Sequence, residues 1–101
     1  MITVKPVEIN GAQFTATRVE LPKTNLLIVS NDIGYIMCAA LDVQILNELL
    51  TDRQVIAGRA KGVRSIDDLL HAPLEMVTDA SAETYGWKVG MTGKDALAKI
   101  S

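Results

Sequence analysis

The chain has one thiol, Cys38, and one imidazole, His71. A cysteine becomes a useful nucleophile when a base or a positive pole lowers its pKa. Cys38 stands four residues before Asp42, near the end of the apolar run Tyr35 to Leu41. Asp42 reads as the N-cap of a helix, with its oxygen accepting from the free amides of the first turn. Ligands of α/β sheets often bind where a strand ends and a helix begins. That makes Cys38 the candidate catalytic residue. Nothing in the spacing brings His71 to it, and free cysteine is commonly a small packed core residue. The expectation is therefore that Cys38 is core. His71 falls in the last turn of a short helix next to Pro73 and reads as a surface residue.

A second constellation is basic. Arg53, Arg59, Lys61 and Arg64 occur within a stretch that holds no acidic residue between its ends, with Gly58 and Gly62 inside it and Ser65 opening a helix just beyond. Arg59, Lys61, Gly62 and Arg64 are candidates to hold a small anion, backbone amides and guanidinium groups together. The glycine spacing matches neither a phosphate-binding P-loop nor a dinucleotide fingerprint. An ordinary solvated loop, balanced by Asp67 and Asp68, is the plainer reading. The third is Gly86 to Gly93, where Trp87 and Met91 would line a pocket, an interface or the core. One Cys and one His fit no zinc spacing, so no metal is expected, and no cofactor motif is present. Asp67 and Asp68 are adjacent on a helix and do not share a face, so they are no catalytic pair.

The elements that must position these residues are legible in order. Residues 2–9 and 12–21 flank Asn10-Gly11, a strong hairpin signal. A two-residue turn pairs Ile9 with Ala12, Val7 with Phe14 and Lys5 with Ala16 on one face. Pro6–Thr15, Val4–Thr17 and Ile2–Val19 fall on the other. Apolar pairs thus change face along the ribbon, so both faces need apolar partners. Pro6 cannot donate to a ladder and marks an edge. Leu26 to Val29 and Tyr35 to Leu41 form a second hairpin around Asn31, Asp32 and Gly34, central and buried on both faces.

A helix from Val43 to about Thr51 follows, with Val43, Leu46, Leu49 and Leu50 as its apolar stripe. Next come a strand from Gln54 to Ala60, a helix from Ile66 to His71 capped by Ser65 and an extended segment from Leu74 to Thr78. A short helix capped by Asp79 ends at Gly86, Trp87 to Met91 is extended, and a last helix begins at Thr92. The fold class is α+β: N-terminal antiparallel hairpins, then a mixed sheet with helices packed on one face.

The 101 residues make a single domain, with 1–21 as a β-ribbon and 22–101 as the α+β body. Apolar residues are 49% of the chain and the net charge is −2. So small a domain buries only about two thirds of its surface. The apolar surplus predicts a homo-oligomer with its interface on the ribbon, at Val4, Val7, Ile9, Phe14 and Val19. Nucleic acid and membrane are not expected as partners, since there is no basic stripe and no long apolar run. The N-terminus lacks the pattern of a secretion signal, and a lone cysteine suits the cytoplasm.

Leu21-Pro22-Lys23-Thr24-Asn25, Gly34-Tyr-Ile-Met-Cys38, Ala40-Leu41-Asp42, Gly58-Arg59-Ala60 with Gly62-Val63-Arg64, Asp68-Leu69-Leu70 with Ala72-Pro73-Leu74, and Val89-Gly90-Met91-Thr92-Gly93 with Ala96-Leu97 resemble the YunC-like family. This is a small bacterial and archaeal domain of unknown function. The resemblance implies tetramerisation through an N-terminal β region. It transfers no catalytic residue. Relatives carry Gly after the cysteine where this chain has Ala39, which counts against a ligand approaching the backbone there. The reading is an uncharacterised cytosolic homotetramer. Its alternative is a binding protein or enzyme for a small anion or carbonyl compound near Cys38 and the Arg59 to Arg64 loop.

Overall fold

A computed structural model describes residues 1–22, 24–38 and 55–101. The Asp42 cap, the Val43 helix, Ala39 and Arg53 lie outside the described residues. Among the described residues six strands form one mixed sheet in the order β1 to β6: β1 Ile2–Ile9, β2 Ala12–Leu21, β3 Thr24–Ser30, β4 Gly34–Cys38, β5 Ile56–Ala60 and β6 Met76–Val77. All pairs are antiparallel except β4 with β5. Three short helices follow β5: α1 Ile66–His71, α2 Asp79–Tyr85 and α3 Gly93–Ala98. The α+β class and the N-terminal antiparallel hairpin stand as expected.

The ribbon forms where local chemistry demands it. Asn10 and Gly11 both take positive φ, 53° and 80°. A two-residue turn with that twist suits the right-handed twist of the strands, and asparagine and glycine adopt it with little strain. The register follows, with Val7 opposite Phe14 and Ile2 opposite Val19. β1 is the edge that Pro6 announced. In the second hairpin, the Asn31 carboxamide oxygen accepts from the amides of Ile33 and Gly34. Its nitrogen donates to the Ile100 carbonyl at 2.8 Å, which ties the centre of the sheet to the C-terminus.

Helix starts are set by side-chain caps. Ser65 accepts from the Asp68 amide at 3.1 Å and Thr92 from the Asp95 amide at 3.2 Å. The cap of α2 is Thr78, not Asp79, which is instead the first residue of the helix. The reason is tertiary. Thr78 is 2% exposed, and its hydroxyl also donates to the Val55 carbonyl and meets the Ser81 hydroxyl at 2.7 Å. Ser81 in turn donates to the Ala57 carbonyl at 3.3 Å, so two buried hydroxyls clasp α2 to β5. Gly86 closes α2 in the left-handed region, φ 71°, as its position predicts.

Ile9, Phe14, Leu27, Val29, Ile36, Leu69, Leu97 and Ile100 make one core between the sheet and the helical layer. A smaller cluster on the opposite sheet face holds Met37 and Ala57, with Ile28, Tyr35 and Met76 beside them. The extended segment expected at Trp87 to Met91 is irregular, turning at Gly90 with φ 98°. It is held by the Gly90 amide on the Leu74 carbonyl and the Leu74 amide on the Met91 carbonyl, both 2.8 Å. Trp87 belongs to the core at 1% exposure. It packs over Gly58, where a β-carbon would stand 3.3 Å from the indole ring.

Candidate functional site

Cys38 ends β4 on the face that bears the core and is 5% exposed. Pairing of β3 with β4 stops at Ile28 and Met37. The next amide, Leu27 N–H, donates to the Cys38 sulfur at 3.4 Å, and the thiol faces the Asn25 carbonyl at 3.6 Å. The sulfur thus takes the place of a backbone acceptor where the ladder ends. A buried thiol in this setting acts as packing and as a weak acceptor.

His71 is elsewhere in chemical terms. It lies at the C-terminal end of α1, 62% exposed, with Nδ1 2.9 Å from the Asp67 carbonyl and 3.6 Å from the Asp67 carboxylate. It shares no hydrogen bond with Cys38 among the described residues. The pair lacks the nucleophile–base contact that Cys–His catalysis requires.

The basic loop is brought together, but around the chain's own carboxylate. Arg59 lies opposite Met76 across β5 and β6, and the Glu75 amide donates to the Arg59 carbonyl at 2.8 Å. That places Glu75 Oε1 2.7 Å from Arg59 Nε and Oε2 3.2 Å from Lys61 Nζ. Gly62 turns the loop with φ 71°. The Arg64 amide donates to Asp68 Oδ2 at 3.2 Å. Arg59, Lys61 and the Arg64 backbone therefore already face acidic partners. Sequence reasoning missed Glu75, because its role depends on strand register and not on local spacing.

The five residues expected at an interface divide by face. Ile9 and Phe14 are 3% and 2% exposed and belong to the core of the single chain, with Val7 packed against them. Val4 and Val19 point to the opposite face. There Val4 is 61% and Ile2 68% exposed, while Val19 is half-buried. Alternation dictates this: the helices cover odd positions of β1 near the turn, and the even positions at the open end face outward. Among the described residues no group of three or more His, Cys, Asp or Glu is placed to hold a metal. No helix among them is long and apolar enough to cross a membrane.

Residues 37–100 match the family described as domain of unknown function DUF1805. The chain is 59% identical over 100 residues to "Uncharacterized protein YunC" of Bacillus subtilis (strain 168), covering 99% of this chain and 98% of that protein. Its fold is similar to the crystal structure of a protein of unknown function, TA1206 from Thermoplasma acidophilum. The TM-score is 0.86 at 26% identity, over 100% of this chain and 94% of that one. The chain therefore belongs to the YunC-like family, whose domain, DUF1805, has no assigned function.

Proposed function

We propose that the protein works as a homo-oligomer, a tetramer, assembled through the outer face of its N-terminal ribbon, with its biochemical activity still to be assigned. The observation that carries this is the exposure of Ile2 and Val4, 68% and 61%, on the ribbon face turned away from the helices. Met1 and Leu21 add 81% and 44% exposed apolar surface at the same end. Contiguous apolar surface of this kind on so small a chain is stabilised by a second copy meeting it. The single cysteine, which leaves no intrachain disulfide, supports a cytoplasmic setting.

The alternative, a small-anion or carbonyl site near Cys38 and the Arg59 to Arg64 loop, gains no support from a loop whose cations meet Glu75. Assembly is therefore preferred. Val4→Glu is the test, because Val4 carries no core contact and the variant keeps the protomer's fold. Light scattering is expected to show a particle of lower mass than the wild type. An unchanged mass, with the circular dichroism spectrum retained, overturns the ribbon face as the interface.

A further inference from the structure

The ribbon turn places a carboxamide beside a backbone amide that no side chain shields. Of the four asparagines, Asn10, Asn25, Asn31 and Asn47, only Asn10 precedes glycine. The residues after the others are Leu26, Asp32 and Glu48, whose side chains crowd the amide nitrogen. Asn10 and Gly11 are both exposed, and a β-carbon built on Gly11 would meet nothing within 4 Å. No backbone hydrogen bond among the described residues occupies the Gly11 amide. Asn10 Nδ2 reaches the Ser101 hydroxyl at 3.4 Å, long for a hydrogen bond.

Asn31, in the other hairpin, is the contrast. Its oxygen accepts from the Ile33 and Gly34 amides at 2.9 and 3.1 Å, and its nitrogen donates to the Ile100 carbonyl at 2.8 Å. That carboxamide is fixed at both ends. The Asn10 carboxamide is loosely held at an open turn, where exposed chain tips undergo covalent change most readily.

We propose that Asn10 is a site of spontaneous deamidation in the folded protein. The Gly11 amide nitrogen bonds to Asn10 Cγ, and the Cγ–Nδ2 bond breaks. Nδ2 leaves as ammonia, taking the proton from the Gly11 nitrogen. Water then opens the succinimide ring at either of its two carbonyl carbons. Opening at one leaves aspartate at position 10. Opening at the other leaves isoaspartate, with the main chain rerouted through the side-chain carbons and one methylene longer. Both products carry a new carboxylate and lose the Nδ2 donor to Ser101.

The longer product is the consequential one. A two-residue turn sets the pairing of Ile9 with Ala12 and of Val7 with Phe14. An extra backbone carbon there no longer fits that register, so Ile9 and Phe14 lose part of their packing in the core. Asn10 stands at the opposite end of the ribbon from Val4, about 20 Å away at strand rise. The modification is therefore separate from the assembly surface.

The test is to age the full chain in warm, mildly alkaline buffer and to follow each asparagine by peptide mass spectrometry. Asn10 is expected to gain the mass of an amide-to-acid change at least about tenfold faster than Asn25, Asn31 or Asn47. Fragmentation that separates isoaspartate from aspartate is expected to find both. The isoaspartate fraction, isolated by ion exchange, is expected to melt at least about 4 °C below fresh protein. Asn10→Asp supplies the charge without the methylene and is expected to melt above that fraction. The proposal is overturned if Asn10 in the folded chain changes no faster than the other three, including the case in which it reacts only in urea. A melting temperature for the isoaspartate fraction equal to that of Asn10→Asp overturns the register effect.

Discussion

Arg59 Nε stands 2.7 Å from Glu75 Oε1, with the two side chains 18% and 22% exposed. A pair this sheltered is screened less by salt than a surface pair, and removing one member leaves the other poorly solvated. Glu75→Gln is expected to lower stability by about 1–3 kcal/mol, between the exposed and fully buried cases. Urea unfolding measures it. The same variant leaves Arg59 and Lys61 without Glu75's charge, so phosphate is expected to raise its melting temperature and not that of the wild type. A wild-type response as large as the variant's would return the loop to candidacy as an anion site.

Cys38 holds the Leu27 amide at the end of the β3–β4 ladder. Cys38→Ala leaves that buried donor unsatisfied, a loss of about 1–3 kcal/mol, whereas Cys38→Ser keeps an acceptor and loses less. Denaturation of both variants gives the comparison. The native thiol is expected to resist iodoacetamide and to react only on unfolding. Alkylation of the folded protein at the rate of a free thiol would show that Cys38 is reached by solvent and reopen its chemical role.

Gly93 begins α3, and a β-carbon there would stand 2.5 Å from the Leu69 carbonyl oxygen and 2.6 Å from Ile36 Cδ1. Helix propensity alone favours Gly93→Ala. Steric contact with a backbone atom opposes it and is the larger effect, so the variant is expected to be destabilised by about 1–3 kcal/mol. Gly62→Ala is the useful contrast. Its β-carbon meets nothing within 4 Å, but φ is 71°, so any loss there comes from backbone strain. If Gly93→Ala is as stable as the wild type in a thermal melt, the close packing of α3 against α1 is not as described.

Tyr35 lies on the outer sheet face opposite Ser30, and burial pushes its phenol above the ordinary value of 10.0. The folded chain therefore holds that proton more tightly than the unfolded chain. The resulting stability is fully present below about pH 10 and is lost as pH rises through the folded value. Urea midpoints at about pH 9 and about pH 11 are expected to fall more for the wild type than for Tyr35→Phe. Equal falls would mean that Tyr35 is no more protected in the folded chain than in the unfolded one.

The parts of this protein that its sequence determined are those written in short range. Asn10-Gly11 sets a turn and, with strict alternation, the whole register of β1 and β2. Ser65, Thr92 and Gly86 mark helix ends because a cap contacts residues within one turn of itself. Tertiary structure decided the rest, because it depends on which distant segments meet. Thr78 displaced Asp79 as the cap of α2 only because β5 supplies partners for its hydroxyl. Glu75 reaches Arg59 and Lys61 only through the pairing of β5 with β6. Phe14 and Val4 differ in fate because the helices cover one face of the ribbon near its turn and leave the other open. Local rules fix backbone conformation through neighbours a few bonds away, whereas burial and ion pairing follow from packing that no short window of sequence contains.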